Sequence, residues 1–480
     1  VSALFGIDAR GLAAFRVAIA ALVVVDVALR ALDVPALLTD DGVLPRDGLV
    51  GYSIQGIARP SLHALSGGAP LQYLLLGLTA CTATLLGLGI QSRAATIATW
   101  LLLASVQFRN PLVLNGGDLM LRALLFWAMF LPLDLRGRVG SRRSEDTHAS
   151  VQSMAGAALL LQVVLLYLFA AAHKWSEPIW RGLDAFRVAM TVDGAATPFG
   201  QWLGALPVLP ELGTASVLAV ETIGPVVVLA AWRSPRLRSA SVLAFMAFHL
   251  LGLATVFRFG LFPFVMVAAW LPFLPAATWD RVESALRGRV ARVGANPRRA
   301  SRVVNAAVGM IFASVVWSNC ATIGWVSERP DGPLGFLRTQ NHLLGLHQHW
   351  SLWSRPPANR YFVIAGRTVS GDGLDLRRAG APLDFSQAPL RSQDARWWKL
   401  ELGLTKDNVA PFRVGYACYW LRSWNAAHDD PEHVDISEFW MVRGTRQALR
   451  AGEGEAHLLA RVLANDHVDA RKAGPFVCPP

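Results

Sequence analysis

Lysine is nearly absent from this chain: Lys174 is the only one in the first 398 residues, and Lys399, Lys406 and Lys472 complete the set. Positive charge elsewhere in that stretch is carried by arginine, whose guanidinium stays protonated, so only one position there offers an amine that can become neutral. Charge of either sign is sparse, at 16 % of 480 residues against 53 % hydrophobic, with a mean hydropathy of +0.37. That balance, with several long apolar runs, excludes an ordinary soluble globule and indicates a polytopic membrane protein. The net charge of +11 does not call for nucleic acid, because the arginines sit between apolar runs and loop topology accounts for them. Cysteine is too rare for a disulfide scaffold. Cys81 and Cys320 lie in or near apolar runs, whereas Cys418 and Cys478 lie in the tail and can pair if it faces an oxidising compartment. No P-loop, dinucleotide fingerprint, G-x-S-x-G or C-x-x-C is present. His347 and His349 in HQHW have no third ligand at motif spacing, so they suit a structural or surface role and no metal is expected.

What is there is a series of about nine apolar spans: 13–32, 71–90, 94–108, 118–133, 151–172, 214–232, 241–256, 259–273 and 303–323. The third is short, and the seventh and eighth suit a broken or re-entrant pair. The first run continues for a full bilayer span without a small-residue cleavage site, so it reads as a span and not as a cleaved signal. Arginines gather after span two (Arg93), span four (Arg136, Arg138, Arg142, Arg143), span six (Arg233, Arg236, Arg238) and span eight (Arg281 to Arg302). The positive-inside rule makes that side cytoplasmic, with the N-terminus inside and the C-terminal tail outside. The fold class expected is an all-α polytopic membrane domain over 10–325, followed by a small extracytoplasmic α+β domain over 326–480.

This topology brings three polar segments to the outer face: Arg109 to Asp118, His173 with Lys174, and Arg258. Charged groups at membrane depth are costly and usually face protein, water or substrate. Lys174 has two readings, a snorkelling anchor beside an interfacial tryptophan or a proton-transfer group. Asp118 opens span four after Gly116-Gly117 and suits a helix cap, which is compatible with a site role. Asn110 and Asn115 suit loop-backbone partners, and Arg109 suits either a carboxylate or a lipid phosphate. His249, between Phe248 and Leu250, is either a buried hydrogen-bonding group or a catalyst. His173 and Glu177 would tune Lys174 in opposite directions.

Four blocks carry a resemblance: FRNPLVLNGGDLMLRALLFWAMFLPLD, YLFAAAHKWSEPIWRG, FHLLGLATVFRFGLFPFVM and LGLHQHWSLW. Together they resemble the HTTM family, the bacterial membrane group similar to animal vitamin K-dependent gamma-carboxylase, over roughly residues 10–360. The resemblance implies that Lys174 is the catalytic base, with His173 standing where the carboxylase has a preceding lysine. It implies a reduced naphthoquinone, vitamin K-like, that Lys174 deprotonates. Oxygen then makes a stronger base, which takes the γ-proton of a peptide glutamate before CO2 adds. An amine serving as base needs desolvation to bring it from its reference near 10.4 toward neutrality. Asn115, Asp118, His173 and His249 are the implied cofactor-binding residues, and Arg109 and Arg258 the implied substrate-binding ones. The loop around Asn115 lacks the histidine that the carboxylase carries there. The expected partners are membrane lipid, the quinone pool and a secreted or membrane peptide.

In the tail, 361–368 alternates as a strand, Gly371-Asp372-Gly373 turns, and 374–378 returns; 409–425 reads as an amphipathic helix and 434–442 as a further strand. The functions left standing are a quinol-dependent, carboxylase-like membrane enzyme, a non-carboxylating factor for maturation or export of a peptide, and a structural membrane protein. The nine-span topology makes a direct prediction: cysteines introduced at Gly288 and Gly371 label with impermeant reagent from opposite sides, the first only from the cytoplasm. Labelling of both from one side rules that topology out.

Overall fold

In hydrocarbon a chain has no water to satisfy its amides, so apolar runs of about twenty residues become helices that pair every backbone group internally. A computed structural model of the chain shows this outcome and describes residues 5–51, 60–134, 150–192, 194–287, 298–299, 301–327, 332, 334–355, 359–368, 373–378, 381–382, 394–404, 409, 412–427 and 436–446. The membrane part consists of α1 (Ala9–Ala31), α2 (Ala69–Gly87), α3 (Ser92–Arg109), α4 (Gly116–Ala128), α5 (Met154–Trp175), α6 (Leu209–Ala230), α7 (Pro235–Ala247), α8 (Phe262–Trp270), α9 (Ala276–Arg287) and α10 (Arg302–Thr322). Each of the nine expected spans falls on one of these helices. Among the described residues, however, only six helices are long and apolar enough to cross a membrane, with a seventh if the segment around α8 and α9, bent by 102°, is one span. The difference has a physical cause. The 13 residues of α4 reach only about 20 Å, short of a hydrocarbon core of about 30 Å, and α4 is enclosed by protein, with Leu124, Leu125 and Trp127 fully buried. The helix α3 carries Ser92, Arg93, Gln107 and Arg109 and is likewise mostly covered by its neighbours.

Short polar residues start these helices where the sequence places them. Ser153 accepts from Gly156 N at 3.0 Å to cap α5, and Ser301 accepts from Val304 N at 3.2 Å to cap α10. Near the starts of α1, α5 and α10 the chain forms a small sheet, β1 (Ile7–Asp8) antiparallel to β2 (Ser150–Gln152), which runs parallel to β3 (Arg298–Arg299). Arg10 tightens that end by reaching Asp8, Asp280 and Glu283 at 2.9, 2.8 and 3.0 Å. The basic loop from Arg136 to Arg143, like Arg289 and Arg292, lies outside the described residues.

After α10 the chain does not leave the bundle. The helix α11 (Gly335–Leu343) lays Asn341 against Ser314 and Ser318 of α10 at 3.0 Å each, and the following segment runs back into the core. There Gln348 and Gln162 exchange amide hydrogen bonds at 2.8 and 3.1 Å, Trp350 donates to Gln348 Oε1 at 2.9 Å, and Trp127 donates to Gln162 Oε1 at 3.4 Å. Gly345, at φ +63°, gives its carbonyl to buried Arg122 at 2.8 Å; a Cβ there would stand 2.6 Å from Arg122 Nε, so only glycine fits.

The tail sheet has the order β6-β5-β4-β7, with β4 (Asn359–Thr368), β5 (Gly373–Asp375), β6 (Ala381–Pro382) and β7 (Ile436–Arg446) all antiparallel and Ala365 opposite both Asp375 and Trp440. The expected hairpin, third strand and amphipathic helix correspond to β4 with β5, to β7 and to α13 (Arg413–Ala427). The turn residues Gly371 and Asp372 lie outside the described residues. Unforeseen in the sequence was α12 (Ala395–Leu404), which docks the tail on α1: Arg396 reaches Asp26 at 2.5 Å, and Trp397 donates to Asp33 at 3.0 Å. Burial pushes the Asp33 carboxyl above its usual range. Cys418 is disulfide-bonded, while Cys478 lies outside the described residues.

Replacing Gln162 with leucine strands the Gln348 amide and the Trp127 indole inside the bundle, at a cost of about 1–3 kcal/mol for each unpaired group. The Gln162→Leu, Gln348→Leu double variant is expected to lose less than the sum of the two singles. Denaturation midpoints in one detergent measure both effects, and an unchanged midpoint for Gln162→Leu contradicts the buried amide pair.

Candidate functional site

Tyr167 and Lys174 are seven residues apart on α5, which puts them on one face about 10 Å apart along the axis. That face lines a cavity of about 1220 Å³ formed between α5, α6, the turn after α7, the returning segment at 349–355 and α12. Lys174 is buried, and its ammonium does not extend toward lipid phosphate. Its Nζ donates to both carboxylate oxygens of Glu221 on α6, at 2.9 and 2.7 Å, and stands 5.1 Å from the ring centre of Trp180. Two opposite charges this deep survive because each neutralises the other and the two hydrogen bonds recover solvation lost on burial.

The surroundings of the pair come from distant parts of the chain. Trp180 is fixed by donating to the carbonyls of Trp353 and Ser354, at 3.2 and 2.8 Å. Glu177, expected beside Lys174, instead holds Arg355 at 2.5 Å. His173 contacts Thr322 Oγ1 at 3.2 Å and meets the His349 ring edge-on, with centroids 4.9 Å apart. His347, the other histidine of HQHW, stacks on His342 at 4.0 Å. Among the described residues no three His, Cys, Asp or Glu side chains converge on a metal-sized space.

Flat aromatic surfaces line the same cavity. Phe257 stacks on Phe259 with centroids 4.5 Å apart and planes within 5°, and Trp353 on Trp398 at 5.8 Å and within 3°. Trp353 holds a left-handed backbone, φ +57°, a strained state for a bulky residue that its stacking and its carbonyl's bond with Trp180 maintain. Deeper, His249 sits on a π-helical turn, Phe248–Leu253, with its Nε2 2.6 Å from the Tyr167 hydroxyl. Planar apolar walls with hydrogen-bonding groups at separate points suit a flat ring that bears polar atoms.

Of the residues singled out in the sequence, Asn115, His173, Lys174, His249 and Arg258 line this one cavity. Asn115 does so while its side-chain oxygen caps α4, accepting from Gly117 N at 2.7 Å. Arg258 donates its guanidinium to the Ala196 carbonyl and also borders a smaller adjoining cavity of about 360 Å³. Asp118 borders only the smaller one, where Asn115 N at 2.8 Å and Arg30 at 2.5 Å engage its carboxylate. Arg109 lines neither: it is fully buried beneath the loop after α1, donating to the carbonyls of Leu44 and Thr39 at 2.8 and 3.1 Å.

Glu221 was missed in the sequence, although it is the one charged residue in the apolar run 214–232, and a carboxylate at that depth calls for a partner. Tyr167, Trp353, Trp398 and Lys399 also line the cavity and carried no distinguishing signal. No protein-family model, curated protein or solved structure matches the chain.

The ion pair predicts strongly non-additive stability. Lys174→Met or Glu221→Leu alone leaves an uncompensated buried charge, at a cost of about 3–5 kcal/mol, whereas the double variant is expected to be neutral or more stable. Unfolding midpoints of the three variants check this, and additive losses would mean that the two side chains do not act as a pair.

Proposed function

We propose that this chain is an HTTM-type membrane enzyme resembling vitamin K-dependent gamma-carboxylase, in which Lys174 is the base for a reduced naphthoquinone and a peptide glutamate is the group modified. The observation that carries the reading is the lone buried amine of the membrane part, set against a carboxylate in a cavity with flat aromatic walls. A reduced naphthoquinone supplies, with oxygen, the strong base that no side chain provides. The proton that Lys174 Nζ shares with Glu221 in the ion pair can move to the carboxylate, leaving a neutral amine beside a neutral acid, and Nζ then accepts the hydroxyl proton, so that each group ends with one proton. General-base work from the amine therefore requires the ion pair's proton to move to Glu221 before the hydroxyl proton arrives. Burial of both groups keeps that exchange away from bulk water. The stacked faces of Phe257, Phe259, Trp353 and Trp398 would orient a planar ring, and His249 and Asn115 border the space it would fill.

The same reading takes nine spans, a cytoplasmic N-terminus and an extracytoplasmic tail. The disulfide at Cys418 supports an oxidising side for the tail, and the β1–β2–β3 sheet supports a common side for the N-terminus and the basic loops before α5 and α10. A second reading, a peptide maturation or export factor that does no carboxylation, draws on the closure of Lys174 by Glu221 and on the placement of Arg355 and Lys399 of the tail along the cavity.

Quinol epoxidation and labelled-bicarbonate incorporation by purified protein in lipid decide between them. Wild type is expected to turn over. Lys174→Arg, which keeps the charge and loses a removable proton, and Glu221→Gln are both expected to fold, with Lys174→Arg slower by about 10²–10⁴-fold. Turnover near wild type in Lys174→Arg removes the base role. A wild type that binds quinol and peptide without turnover favours the maturation factor.

A further inference from the structure

Among the described residues that line the larger cavity, His249 has a buried polar atom without a hydrogen-bond partner: its Nδ1. The other ring nitrogen is committed. Trp270 Nε1, which can only donate, donates to the Tyr167 hydroxyl at 3.0 Å, and that hydroxyl lies 2.6 Å from His249 Nε2. Tyr167 has one proton to give, and among the described residues its hydroxyl has no other acceptor than Nε2. A proton on Nε2 would make the hydroxyl accept twice and strand its own hydrogen in a fully buried position. The network therefore selects Nε2 as acceptor and leaves the imidazole proton on Nδ1.

Packing holds this arrangement. Phe245 stacks on Trp270 at 4.3 Å and touches the Tyr167 ring at 4.7 Å, while Phe262 meets the His249 ring edge-on at 5.8 Å. The π-helical turn sets His249 apart from the regular α7 ladder, as such turns commonly do at binding sites.

We propose that His249 presents its Nδ1–H to an acceptor oxygen of the cavity's occupant, a carbonyl or oxyanion, with Tyr167 and Trp270 as positioning residues that fix the tautomer. Through Tyr167, His249 is held about two helical turns from Lys174 along α5, so the two residues line the cavity at separate points. The proposal rests on the quinol reading for the identity of the occupant but not for the tautomer.

Histidine-selective ¹⁵N NMR of the full chain in nanodiscs reads the tautomer directly, with the His249 signals identified by their loss in His249→Gln. The expected result is a protonated Nδ1 and an unprotonated Nε2 in wild type. In Tyr167→Phe, which keeps the ring packing, and in Trp270→Phe, the two nitrogens are expected to move toward a mixed population. Adding 2-methyl-1,4-naphthoquinone is expected to shift the Nδ1 resonance of wild type. A proton on Nε2 in wild type, an unchanged His249 signal in both variants, or an Nδ1 resonance unmoved by the quinone each overturns the proposal. Turnover retained by Lys174→Arg would bear on the base reading alone, because the tautomer is read without turnover.

Discussion

A carboxylate, amide or guanidinium that enters the interior of an apolar helix bundle must find its partners within the protein, because hydrocarbon offers none. This constraint explains more of the structure than any single hydrophobic contact does. It pairs Gln162 with Gln348, aims Arg122 at the Gly345 carbonyl, and ties Asp26 to both Arg30 and Arg396. In each case at least one partner comes from a remote part of the chain. The polar groups therefore specify which segments meet, a task that interchangeable leucines and valines perform poorly.

The division of labour between arginine and lysine follows from the same constraint. Arginine has five donors in a fixed fork and retains its charge, so it suits positions where several carbonyls or carboxylates must be gathered. Arg109 gathers the loop after α1, Arg30 bridges Asp26 and Asp118, and Arg10 gathers three acidic groups near the start of α1. A lysine can surrender its proton, and the first 398 residues contain one, placed in the cavity against Glu221. Asp118 and Arg109 illustrate the converse. Both are conspicuous as charged residues flanking an apolar span, yet their side chains are occupied in holding loop and helix ends together.

The cavity depends on the return of the chain after α10. Trp353 and Ser354 fix Trp180, which stands against Lys174, while Trp398 of α12 completes an aromatic surface begun by Phe257 and Phe259. The tail's docking helix is itself bound to α1 through Arg396 and to the turn after α1 through Trp397. Membrane bundle and tail thus share the construction of one site, and the interval 335–354 is packed as part of the bundle, although it lies beyond the last apolar run.

The sequence by itself determined the membrane class and the helical character of each apolar run, because hydropathy acts through neighbours a few residues apart. It also located the polar segments, and the cavity contains Lys174, His173, His249, Asn115 and Arg258 among those singled out. It did not reveal that α4 is short and enclosed by protein, since apolar composition is the same whether lipid or protein covers it. Nor did it join Lys174 to Glu221, 47 residues away, or His249 to Tyr167, 82 residues away. Helix periodicity puts Tyr167 and Lys174 on one face, but which carboxylate and which imidazole meet that face is set by how α6 and the turn after α7 pack against it. Only the tertiary structure decided that, because contacts between distant segments leave no local pattern in the chain.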